Sequence, residues 1–214
     1  MVWNALKDCR HGPHDLATHG ASNLDLVPDA DACRDVLERA KLFFEWRLPG
    51  DSLLGVALDH LSLGRAHLGL AQAAGDPASG DAASPDAEEA AKHLDRAVDV
   101  LRQAGREDMT PFGLLARAVL RRFRGDQGGA SADVLEAGEI AERGHMRLHE
   151  CDVHLEGTRL ALVRGDVKAA RRRLEKAREI VEATGYRRRE GEVAALLGLV
   201  GDHSTEDPAS SLKP

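Results

Sequence analysis

The chain is predicted to be all-α, an α-solenoid of antiparallel helix pairs, on three observations. Its composition favours helices, one side-chain spacing recurs every 40 residues, and a Gly-Asp dipeptide punctuates the recurrence. Only 3 % of the 214 residues are aromatic. The apolar content rests mainly on Ala, Leu and Val, with Arg and Glu abundant beside them. Ala, Leu, Arg and Glu lose little side-chain freedom in a helix. The length suffices for one domain or a short array with a continuous core.

The recurrence places the second helix of each pair. The segments AAKHLDRAVDVLRQAG, ASADVLEAGEIAERG and ARRRLEKAREIVEATG begin at Ala90, Ala130 and Ala170 and superpose without gaps. Four residues on come Leu94, Val134 and Leu174, then Ala97, Ala137 and Ala177, then Val100, Ile140 and Ile180. Steps of four, three and three put all four columns on one helical face. Gly105, Gly144 and Gly185 close the segments and are expected to be left-handed stops. Cys33, Leu37, Ala40 and Phe43 repeat the internal spacing further upstream. An Ala-, Ser-, Gly- and Asp-rich loop from Pro77 to Ser84 accounts for the longer first interval.

The first helix of each pair precedes a turn at Gly75-Asp76, Gly125-Asp126, Gly165-Asp166 and Gly201-Asp202. Five residues before these glycines stand Leu70, Leu120, Leu160 and Leu196. A helix, a Gly-Asp turn, a second helix and a stop make a unit that buries its apolar stripe only by stacking on its neighbours.

The run from Gly165 through Ala170 and Leu174 to Ala177 resembles the turn and second helix of a tetratricopeptide repeat. The resemblance covers roughly residues 29–202 and implies a right-handed α-solenoid of about three full repeats plus a partial one at each end. The expected organisation is an irregular segment at 1–27 and a repeat domain at 28–202. Within it lie a partial repeat at about 28–50, repeats at 52–105, 110–144 and 147–185, and a capping helix at 188–200. A disordered tail follows at 203–214. The chain departs from the family in its longer unit, in Arg121 and Ala161 where a tyrosine is usual, and in glycine where proline usually closes the repeat. The stretches Leu58–Leu68 and Gly144–Glu150 are also similar to the C-terminal helical repeats of bacterial signalling ATPases, which implies partner docking in signalling. The phosphate-binding loop of such ATPases is absent from the sequence.

By analogy with that family, the first helices line a groove for a peptide. The positions carried over are Arg65, Gln72, Leu115, Val119, Arg122, Asp152, Leu155, Arg159 and Arg188. Guanidinium groups fork onto carboxylates, so the expected partner is an acidic peptide or protein. At the other extreme Phe43, Phe44 and Trp46 cluster beside a helix lacking its first-helix partner. Residues 1–27 cover that end, or a second copy of the chain does so as a homodimer.

The remaining chemistry argues against an enzyme. Cys9, Cys33 and Cys151 form no CxxC or disulfide framework, and Cys33 reads as the small residue of its column. His149 and His154 are five apart, off a shared metal-binding face, and His60 with His67 reads as helix-packing or groove-lining. No catalytic triad assembles, and neither cofactor nor metal is expected. The formal charge is −7, yet residues 110–200 carry a net +3. The Arg171–Arg173 triplet points three ways on a helix, and salt bridges to Glu175, Glu179 and Glu182 are expected there. No aromatic interleaving supports nucleic-acid binding. With neither a signal-peptide core nor a membrane-length apolar run, the expected place is the cytoplasm. The function expected is an interaction scaffold, with a regulatory sensor of a small effector or peptide as the alternative.

Overall fold

A computed structural model describes residues 29–46, 50–75 and 84–202, the side chains of 43–45 and 202 excepted. These residues form eight α-helices and no strand. The helices are α1 (Ala30–Glu45), α2 (Leu53–Ala74), α3 (Pro85–Gln103), α4 (Thr110–Phe123), α5 (Gln127–Arg143), α6 (Arg147–Val163), α7 (Val167–Thr184) and α8 (Glu190–Asp202). A short 3-10 turn, Arg187–Arg189, leads into α8. The expectations for residues 1–27 and 203–214 lie outside the described residues.

Each helix packs on the next in sequence, most extensively within the pairs α2–α3, α4–α5 and α6–α7. The even-numbered helices also touch in succession, α2 to α4, α4 to α6 and α6 to α8. The odd-numbered helices pack mainly on the even ones, so the even row is the inner row.

The predicted columns are the seam. Ala90, Ala130, Ala170, Ala97, Ala137 and Ala177 are all 0 % exposed, and Leu94, Val134, Leu174, Val100, Ile140 and Ile180 are buried with them. Each buried leucine contributes about 1.5–3 kcal/mol, while the alanines let neighbouring helices approach. The apolar clusters bridge successive pairs. One joins α2, α3 and α4, a second α3, α4, α5 and α6, and a third α6, α7 and α8. Cys33 is buried with Val36, Leu37 and Ala40 of α1 against Leu63 and Ala66 of α2.

The Gly-Asp turns divide two tasks between two residues. Gly125 (φ 78°) and Gly165 (φ 72°) take the left-handed conformation that ends α4 and α6. The next amides reverse the chain, Asp126 N–H donating to the Arg121 carbonyl at 2.8 Å and Asp166 N–H to that of Ala161 at 2.9 Å. The aspartates then cap the following helix, accepting from Gly129 N–H at 2.8 Å and Ala169 N–H at 2.9 Å. Such caps contribute about 1 kcal/mol each.

Two local expectations are corrected. Gly144 is not a left-handed stop. Gly105 (φ 62°) and Gly185 (φ 67°) are, but between them the positive φ falls on His145 (φ 52°), with Gly144 at φ −86°. Position 145 is the one 40 residues from both glycines, so the stop keeps the register and the glycine is offset by one. Gly201-Asp202 closes no turn within the described residues, because α8 runs through both.

Candidate functional site

The inner row brings charged side chains from three helices into one buried chain. Arg122 of α4 donates from Nε to Glu156 Oε1 of α6 at 2.6 Å. The other oxygen of Glu156 lies 3.5 Å from Nη1 of Arg159, one turn along α6. Arg159 reaches on to Glu192 at the start of α8. Arg189, in the 3-10 turn, donates to Glu192 at 2.6 Å and to Asp152 of α6 at 2.7 Å. Glu156, Arg159, Glu192 and Asp152 are all buried.

Burial opposes the charge on Glu192, yet Arg159 and Arg189 beside it hold its carboxyl below the usual range. Burial likewise opposes the charge on Arg189, and Asp152 and Glu192 more than compensate. Every charge in this chain therefore depends on its neighbour.

Arg65 of α2 faces the same ground. It is half-buried, and it lies near enough to Arg189, Arg188, Asp152 and Tyr186 for their charges to act on it. Burial, then Arg189 and Arg188, lower its pKa below the ordinary arginine value. Neither Arg65 nor the exposed Arg188 makes an ion pair among the described residues. The side chain of Tyr186 is half-buried beside Arg189, whose guanidinium carbon sits 6.0 Å from the ring centre. The ends of the inner row thus converge on an excess of positive charge.

The positions read from the sequence therefore separate into three groups. Arg122, Asp152 and Arg159 are held in internal ion pairs. Leu115 and Leu155 are buried in the apolar clusters, and Val119 packs against one of them. Arg65 and Arg188 remain as cations without a carboxylate ion pair among the described residues, while Gln72 is partly buried near the end of α2. Of the end cluster, Trp46 is 70 % exposed, and the side chains of Phe43 and Phe44 lie outside the described residues.

Sequence reading missed Glu156, Glu192, Arg189 and Tyr186. A signal existed for two of them: Glu156 and Glu192 both stand nine residues before the glycine of a Gly-Asp pair. Nothing in the local sequence marks Arg189 or Tyr186, which join the face through the 3-10 turn.

The histidines fall into structural roles. His67 Nδ1 pairs with Asp86 Oδ1 at 2.7 Å, and His60 Nδ1 lies at hydrogen-bond distance, 2.8 Å, from His93 Nδ1. His149 packs edge-on to Phe112. Among the described residues no group of three or more His, Cys, Asp or Glu side chains is arranged to hold a metal ion. No helix among them is long and apolar enough to cross a membrane. Burial pushes the Cys151 thiol up to about 12, which leaves it unreactive. No protein-family model, curated protein or solved structure matches the chain.

Proposed function

We propose that the chain is a tetratricopeptide-like interaction scaffold whose inner face takes an acidic segment of a partner protein. The observation that carries this reading is the pair Arg65 and Arg188. Arg188 acts electrostatically on Arg65, neither makes an ion pair with a carboxylate among the described residues, and the other charges of the face are paired internally. Like charges gathered on one face repel each other, and an incoming carboxylate removes that cost while forming forked hydrogen bonds. Arg122 and Arg159 hold the face together rather than meeting the partner.

The test is fluorescence anisotropy of a labelled oligoglutamate peptide against the full chain, with oligolysine as control. The wild type binds oligoglutamate with a salt-dependent affinity, and Arg65→Gln with Arg188→Gln weakens binding at least tenfold while the melting temperature holds. Equal binding by the double variant removes the inner face as the site.

A further inference from the structure

Another face of α6 holds a second feature, visible by comparison with α4. In the earlier pair Arg117 of α4 fills the space between α3 and α5. It donates to Asp133 at 2.7 and 3.0 Å and to Asp95 at 3.1 Å, while Arg121 lies 2.9 Å from Asp133. Forty residues on, all four partners change: Leu135 replaces Asp95, Gly157 replaces Arg117, Ala161 replaces Arg121 and Arg173 replaces Asp133. The bridge is gone. Between α5 and α7, over α6, lies a cleft of about 680 Å³, against about 340 Å³ at the bridged position.

The floor of the cleft is apolar and low, formed by Val153, Gly157, Leu160 and Ala161, with Leu135 64 % exposed at its α5 edge. The Arg173 side chain lies over Gly157, where a Cβ would come within 2.6 Å of its Nη1. The walls carry opposite charge. Arg172, Arg173 and Lys176 line the α7 side, and Glu139 and Glu142 the α5 side. None of these five makes an ion pair among the described residues; the neighbouring Glu175 and Glu182 pair with Arg178 instead. His154 also lines the cleft, with Nδ1 buried and unbonded.

From Ser131 to Glu142 the α5 wall runs about 16 Å, three helical turns. Small residues on a floor between two helices admit the side chains of a third.

We propose that this cleft seats an amphipathic helix of a partner protein. Its apolar stripe lies on Leu135, Leu160 and Ala161, its acidic flank faces Arg172, Arg173 and Lys176, and its basic flank faces Glu139 and Glu142. The opposed walls fix the direction in which that helix lies. The site is separate from the inner face, since none of the residues lining the cleft belongs to the Arg122–Glu156–Arg159 chain.

The probe is a labelled helical peptide with a Leu/Ala stripe, glutamates along one flank and lysines along the other. The control carries lysines on both flanks. In anisotropy titrations against the full chain the mixed-charge peptide binds and the control binds at least tenfold more weakly. Gly157→Arg, which restores the residue found at position 117, abolishes binding. The exposed pair Arg172→Glu and Lys176→Glu weakens it at least tenfold with the circular-dichroism melt unchanged, and Arg65→Gln with Arg188→Gln leaves it intact. Failure of the mixed-charge peptide to bind, equal binding of the control, or unchanged binding by the wall variants overturns the proposal.

Discussion

Glu156 of α6 accepts from Arg122 of α4 at 2.6 Å while its other carboxylate oxygen faces Arg159 at 3.5 Å. One buried carboxylate therefore serves two buried guanidinium groups on successive inner helices. Removing one member of a buried ion pair costs about 3–5 kcal/mol, because the partner charge is left in a low-dielectric setting. Glu156→Ala is expected to destabilise the chain by about 3 kcal/mol or more, read as a lower urea midpoint. A midpoint unchanged from the wild type would show that water reaches these charges.

His145 is exposed and holds φ at 52°, the conformation its counterparts Gly105 and Gly185 adopt freely. A left-handed residue with a Cβ costs about 1–2 kcal/mol, and glycine returns part of that through its greater freedom in the unfolded chain. His145→Gly is expected to stabilise by about 0.5–1 kcal/mol in denaturant unfolding. Destabilisation would mean that the turn relaxes without the left-handed residue.

Asp126 and Asp166 cap α5 and α7 through equivalent bonds. Each Asp→Ala change is expected to cost about 1 kcal/mol, and the double variant about 2 kcal/mol, since the two turns share no partner. A double variant no worse than either single one would contradict independent capping.

Burial, then Lys176, Arg173 and Arg147, push the His154 imidazole down to about 4. His93 and His149 are lowered too, both chiefly by burial. A histidine with a folded pKa below its unfolded value stabilises fully above about pH 6.5, and that stability fades as pH falls towards the folded value. Melting temperature is expected to drop between pH 6.5 and 4.5, with His154 contributing on the order of 2 kcal/mol. His154→Leu, which installs the residue found at position 114, should flatten that part of the profile. An identical slope in the variant would place the acid sensitivity elsewhere.

Much of the helical core was legible in the sequence because its determinants are local and periodic. The column Ala97, Ala137 and Ala177 recurs at a helical spacing, so the sequence marks the face that packing buries. The Gly-Asp turns at 125 and 165 were legible for the same reason, a φ requirement followed at once by a cap. His145 shows the limit: the 40-residue register, rather than the nearest glycine, decides where the left-handed residue falls.

Local pattern determined which residues are helical and which face each helix buries, because both depend on side chains three and four positions apart. Only the tertiary structure decided which charges are spent and which remain. Arg122 and Arg65 read alike along the chain, yet Glu156, 34 residues away, neutralises the first, while Arg188 and Arg189 crowd the second. Gly157 likewise opens a cleft only because α5 and α7 stand on either side of it. An ion pair or a cavity depends on distances between side chains far apart in sequence, and those distances exist only once the helices have packed.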